Sequence, residues 1–293
     1  MTLGARGPIG FVLAFRGSKL AALILVGISI STSTILFQTV TQNRILTPSI
    51  MGFDALYVLI LTAAVFYLGG MTFAGMSDQV IFVGAAGAMT LAALLLFSTM
   101  LRSAQNNLLR MILTGIVFGA LFRALTDFMQ RLIDPNEFSV VQGASYARFS
   151  LIETELLLVA ALILGGAMLC TWRMRFSLDV MALGRETAVN LGIDASNVQM
   201  QALILAALLV AVSTALVGPV AFLGLLVVSL ARLTTPVENH GVLLCSGALI
   251  SAITLVGGQT ILERVFQLAS PLSVVIDLMG GAFFLFLLLK GHR

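Results

Sequence analysis

Two histidines and two cysteines are the side chains best suited to metal or nucleophilic chemistry in this sequence, and their placement supports neither. His240 and His292 stand apart in sequence from any clustered carboxylate or cysteine, and no metal-ligand spacing occurs. Cys170 and Cys245 fall in or beside long apolar runs, so they read as small apolar residues. A phosphate-binding loop needs Gly-Lys and then Ser or Thr after a glycine-rich turn. Lys19 follows Ser18 and Lys290 follows Leu289, and neither lysine has that setting. Catalysis is not the expected work of this chain. Any ATP that drives it must be bound by another subunit.

The charged segment Leu183–Ile193, with Arg185 and Glu186 at its start, is an island in a chain that is 59% hydrophobic and 10% charged. The mean hydropathy of +1.07 lies far outside the soluble range. Uncharged runs cover 20–43, 55–77, 79–101, 156–172, 195–231 and 239–262. A helix crosses a bilayer with roughly 20 apolar residues, and the shortest run sits at the low end of that range. Hydrocarbon admits only helices or closed barrels, because backbone polar groups need internal partners. The runs are continuous rather than alternating, which predicts an all-α polytopic bundle.

Nine crossings are predicted, at about 20–41, 54–71, 79–101, 108–129, 153–172, 197–217, 221–233, 241–259 and 272–290. The seventh follows the break at Gly218-Pro219, because proline removes a helix donor and disfavours helix before it. It is short enough to cross only part of the bilayer or to tuck into the protein. Met1–Lys19 is read as having no span of its own and as not being a signal peptide. Lys/Arg placement assigns Arg44, Arg102, Arg110, Arg173, Arg175, Arg185, Arg232, Lys290 and Arg293 to the cytoplasmic side. Arg6, Arg16, Lys19, Arg123, Arg131, Arg148 and Arg264 fall on the other side, with the long connection Asp127–Glu155.

Charges inside spans have two readings each. Arg123, Asp127 and Arg131 recur every four residues on one helical face, as a salt-bridged helix end or as the lining of an outer vestibule. Asp277 sits about two turns into the last span, where a carboxylate is costly unless it faces water, protein or a partner. It is read as hydrogen-bonded structure or as part of a path. Asp54 reads as macrodipole stabilisation at a helix start. The pairs Gly69-Gly70, Gly165-Gly166, Gly257-Gly258 and Gly280-Gly281 predict close helix approach.

Several motifs coincide in one order. Gln38-x4-Asn43-x4-Pro48-x3-Gly52 resembles an early span end and loop of the FecCD-type permeases, the membrane subunits of iron-siderophore and vitamin B12 importers of the ATP-binding-cassette class. Leu183-Gly184 through Leu191-Gly192 is similar to that family's cytoplasmic coupling segment. Gly218-x3-Phe222-x-Gly224-Leu225 with Arg232 resembles its late glycine-rich motif, and Pro271 through Lys290 its last span. The resemblance runs from about Arg16 to Arg293.

It implies a BtuC-like helical fold in a single permease domain over 1–293, with a coupling segment at 176–196. It implies a second permease, two ATPase subunits that carry ATP and magnesium, a siderophore-binding protein, and a multi-pass place in the bacterial cytoplasmic membrane. No cofactor or metal is implied in this chain. Leu183, Gly184, Arg185, Glu186, Ala188, Leu191 and Gly192 would face the ATPase. Arg16, Lys19 and Arg264 would meet acidic residues of the binding protein, and Gln38, Asn43 and Asp277 would lie along the path.

The family's Arg-x-Pro-Arg reads Arg16-Gly17-Ser18-Lys19 here, its Pro-His reads Val228-Ser229, and its Asn-Pro reads Asn43-Arg44. These departures resemble the branch serving catecholate or related siderophores, and favour a heterodimer. Met1–Phe15 resembles the outer loop after the family's first span, which would then be missing through a late start or a truncation. The expected function is a ferric-siderophore import permease. The alternative is a secondary transporter using Asp277 and the Arg123–Asp127–Arg131 face, and a third reading is a membrane scaffold.

Overall fold

The computed structural model describes residues 9–103, 108–147, 149, 154–235, 239–264 and 271–290. These form twelve helices: α1 Ile9–Thr41, α2 Phe53–Leu68, α3 Gly70–Ala74, α4 Asp78–Ser103, α5 Leu108–Leu132, α6 Pro135–Ala144, α7 Thr154–Ala182, α8 Arg185–Asn190, α9 Ala195–Val217, α10 Leu223–Thr234, α11 His240–Arg264 and α12 Leu272–Lys290. No strand occurs among the described residues. Eight of the nine predicted spans each coincide with one helix. The second, 54–71, is interrupted at Gly69, whose φ is 82°, and divides into α2 and the start of α3, while α6 and α8 are short additions between spans. Arg6, Arg148, His292 and Arg293 lie outside the described residues.

One boundary is corrected. The expected first span began near Leu20, but α1 starts at Ile9. The stretch Ile9–Phe15 contains no proline, and Gly10 and Gly17 cost the helix only about 1 kcal/mol each, so it continues back past Arg16 and Lys19. These two cations therefore ride on a helix end rather than in a loop. Within the Asp127–Glu155 connection, residues Pro135–Ala144 form helix α6. Pro135 stands in the first turn of α6, and Asp134 caps it by accepting the Asn136 N–H at 2.9 Å.

Helix α1 is the spine. It packs against α7, α9, α10 and α11. Within its most apolar window 72% of residues are buried, against 22% for α4. Its middle is not purely apolar: Ser29, Ser31, Thr32, Ser33 and Thr34 are all buried. Small side chains let helices approach closely where lipid supplies no hydrophobic drive for association. Gly224 of α10 faces Thr34, and Gly247 of α11 faces Ser31. Ser33 donates to the Ala206 carbonyl of α9 at 2.7 Å.

The glycine pairs behave unevenly, which corrects the expectation of close approach at each. A Cβ on Gly165, Gly166, Gly257 or Gly281 would meet nothing within 4 Å. Gly280 is different, because a Cβ there would stand 2.5 Å from Phe222 Cβ and 3.2 Å from its carbonyl oxygen. Gly52 also needs its lack of a side chain: its φ is 100°, and a Cβ would lie 2.5 Å from Gly119 Cα of α5.

Short α10 tucks into the bundle. Leu223 through Val228 and Ala231 are buried, between α1, α11 and α12. A helix of 12 residues rises only about 18 Å, too little for the hydrocarbon core. The break before it follows Gly218, whose φ of 96° ends α9 and brings that backbone against Ala147.

Neighbouring glycines supply a paired test. Gly280→Ala is expected to destabilise the permease by about 1–3 kcal/mol through overpacking against Phe222. Gly281→Ala should stay within about 0.5 kcal/mol of the parent. Thermal unfolding of the two detergent-solubilised variants would separate them, and equal midpoints would contradict the α10–α12 contact.

Candidate functional site

The helices define two ends. Lys19 of α1 pairs with Glu263 near the end of α11, while Thr39 of α1 meets His240 at the start of α11. The two helices are thus antiparallel. The end with Lys19 also carries Arg264, and lies on the side that charge placement assigns outside. The other end gathers the last turn of α7, all of α8 and the first turn of α9.

At this inner end α8 is bracketed by two glycines in the left-handed region, Gly184 with φ 103° and Gly192 with φ 83°. A side chain would be strained at either, so the chain turns sharply into and out of the helix. The turn closes with Ile193 N–H donating to Ala188 O at 3.0 Å and Gly192 N–H to Val189 O at 2.9 Å. Ala188 is the buried residue of α8, seated on Met181 and Ala195. The outward face combines apolar and charged groups: Leu183 is 64% exposed and Leu191 60%, with Arg185 and Glu186 exposed beside them. Arg185 reaches Ser196 of α9 at 3.2 Å. An apolar patch rimmed by charge, held on a rigid turn, suits a protein partner.

At the outer end Arg16, Lys19, Glu263 and Arg264 border a cleft of about 770 Å³ whose floor includes Leu20, Leu23 and Val256. Three cations against one carboxylate leave the mouth positive. Glu263 is held by both Lys19 and Gln259. Sequence reading named the cations and missed Glu263, which only the pairing of α1 with α11 places among them.

Of the expected path residues, Gln38 and Asn43 adjoin, the Asn43 N–H donating to the Gln38 carbonyl at 3.3 Å, and Asp277 is engaged with α10. Gln38 is buried and donates to the Arg44 carbonyl at 2.7 Å. The Asn43 side-chain oxygen accepts the Ile45 N–H at 3.0 Å, a local turn bond. Asp277 accepts the Phe222 N–H at 3.1 Å, at the start of α10. It caps a neighbouring helix, satisfying an otherwise orphaned backbone donor. Arg123, Asp127 and Arg131 are exposed on α5 and no ion pair joins them, which removes the salt-bridged reading.

One cluster escaped sequence reading altogether. His240 Nδ1 lies 2.7 Å from Asp179 Oδ1, across 61 residues. No local spacing signals this pair, because the turn of the chain between α7 and α11 brings it together.

With the helical bundle, the broken α9–α10 connection and the surface turn α8 in place, comparison with known proteins defines the class. The FecCD transport family profile matches residues 6–290, and the chain belongs to that family. It is a multi-pass membrane permease of the ATP-binding-cassette importer class. It is 47% identical over 287 residues to the petrobactin import system permease protein YclO of Bacillus subtilis (strain 168), covering 98% of this chain and 91% of that one. It is 29% identical to the petrobactin import system permease protein FatC of Bacillus anthracis, covering 95% and 79%. A solved structure, described as a metal-chelate type ABC transporter in an inward-facing conformation, superposes with a TM-score of 0.84 at 21% identity, over 98% of this chain and 92% of that one, and shares its fold.

The capping role of Asp277 is open to test. Asp277→Ala should destabilise the protein by about 0.5–2 kcal/mol, the usual loss on removing a cap. Asp277→Asn keeps an acceptor oxygen and should restore most of that stability. Thermal unfolding in detergent reads both, and an Asn variant as unstable as the Ala variant would show that the charge matters more than the bond.

Proposed function

We propose that this chain carries a ferric siderophore of the petrobactin type across the cytoplasmic membrane by alternating access. Sequence similarity to two petrobactin import permeases supports that cargo. The observation that carries the mechanical part is α8, a short surface turn with exposed Leu183, Leu191, Arg185 and Glu186. On this reading Leu183, Gly184, Arg185, Glu186, Ala188, Leu191 and Gly192 form the surface gripped by a separate ATPase subunit. ATP and magnesium are bound there, outside this chain. Nucleotide binding must favour one conformation over the other, since equal affinity for both would shift nothing.

The same reading gives Arg16, Lys19 and Arg264 to an acidic siderophore-binding protein outside the membrane. Complementary charge raises encounter rates and fixes register more than it adds affinity. A second permease completes the pore, and a heterodimer fits the sequence departures noted above. Gln38, Asn43 and Asp277 remain candidate path residues, with Asp277 already engaged by α10. Family membership carries the importer reading, and no comparison supports a gradient-driven carrier.

Reversing both charges, Arg185→Glu with Glu186→Arg, should leave the permease in the membrane while the ATPase no longer co-purifies. Iron-55 uptake should fall by at least about tenfold, equivalent to roughly 1.4 kcal/mol of lost interaction. Unchanged uptake in that variant would remove α8 from the coupling route. At the other end, Arg16→Ala with Arg264→Ala should slow association of the binding protein and flatten its dependence on ionic strength. Stopped-flow docking at two salt concentrations measures this.

A further inference from the structure

Three helices meet on one buried imidazole at the inner end. His240 opens α11 and is 2% exposed. Its Nδ1 is 2.7 Å from Asp179 Oδ1 on α7, and its Nε2 is 2.7 Å from Thr39 Oγ1 on α1. The same Asp179 oxygen accepts the His240 backbone N–H at 2.6 Å, so it also caps α11. Just past the end of α1, Gln42 donates to the Met181 carbonyl of α7 at 2.8 Å. Met181 packs directly against Ala188, the buried residue of α8.

The protons of this junction can be placed. An ionised carboxylate only accepts, so Nδ1 carries a hydrogen. Nε2 faces a hydroxyl, which can donate or accept. With a neutral ring, the Thr39 hydroxyl donates to Nε2. With a charged ring, Nε2 donates to Thr39 Oγ1, and the hydroxyl turns to the Ile35 carbonyl at 2.9 Å. Both ring nitrogens and Thr39 Oγ1 have a partner in both states, so the junction stays closed in either. A hydrogen-bonded network around a buried ring is stiff and directional, unlike apolar contacts, which slide.

We infer that Asp179, His240 and Thr39 form the joint through which a displacement of α8 reaches α1 and α11. The inference rests on the coupling role proposed for α8. The route is short: α8 sits on Met181, the end of α7 is pinned to α1 and α11, and α1 packs against four helices of the bundle. His240 is thus a positioning residue for transport, placed between the ATPase-facing surface and the spine rather than against cargo.

The test uses the assembled transporter in proteoliposomes, with iron-55 in whichever of a panel of ferric siderophores the unaltered complex moves. Two rates are read: ATP hydrolysed and iron moved. In His240→Phe and in Thr39→Val the complex should assemble and hydrolyse ATP, while the ATP used per iron rises about tenfold, within the usual range of coupling between sites. Asp179→Asn keeps an acceptor oxygen and should give a smaller rise. Thr39→Val keeps the volume and the helix, so it decides the matter if His240→Phe lowers the amount of protein. A Thr39→Val complex with the unaltered ratio overturns the joint, as does a parallel fall of both rates. The Arg185/Glu186 reversal separates the two ideas: if the ATPase still binds and drives uptake there, the coupling role of α8 fails, whatever His240 does.

Discussion

Backbone donors left by interrupted helices are the constraint on which this structure depends. Hydrocarbon offers no water to satisfy them. The chain breaks its helices repeatedly, and at three starts a carboxylate from another helix accepts the orphaned N–H. Asp277 of α12 serves Phe222 before α10, Asp179 of α7 serves His240 of α11, and Glu137 of α6 serves Gly70 of α3. A chain with only thirteen acidic residues spends three of them this way. Each bond also ties two helices together at that point, so a cap becomes a tertiary contact. The carboxylate end of this arrangement also suits the positive pole of the capped helix.

The spine shows how the rest assembles around those contacts. Apolar matching cannot align helices strongly when lipid is equally apolar, so shape and hydrogen bonds must do it. The Ser/Thr run from Ser29 to Thr34 in α1 provides both. Its small side chains admit Gly224 and Gly247, and Ser33 bonds across to α9. The result is a centre built on α1, with α4 packed on α9 and α5 on α2 at the flank.

That centre gives meaning to the two ends. The outer end concentrates Arg16, Lys19 and Arg264 around a cleft, with Glu263 engaging Lys19 from within. The inner end exposes α8 on a single buried alanine. On the proposed reading a partner would grip α8 at the inner end, and at the outer end a cleft whose cations Arg16 and Lys19 stand on α1 itself.

Much of this was written in the order of residues. Long apolar runs set the helices, Gly218-Pro219 set the break before α10, and the glycines at 184 and 192 marked the ends of the surface turn. Those signals are local: hydropathy, proline geometry and the left-handed backbone act within a few residues. The sequence also determined what the chain lacks the residues for, since Lys19 and Lys290 cannot build a phosphate loop. Tertiary structure alone decided the union of Glu263 with Lys19 and the Asp179–His240–Thr39 junction. It also decided that Asp277 serves α10, and that Gly280 is crowded while Gly281 is open. The reason is that a lone charge or glycine in an apolar run has no preferred partner until helices pack. Its role is set by which neighbour arrives, and that neighbour lies tens to hundreds of residues away.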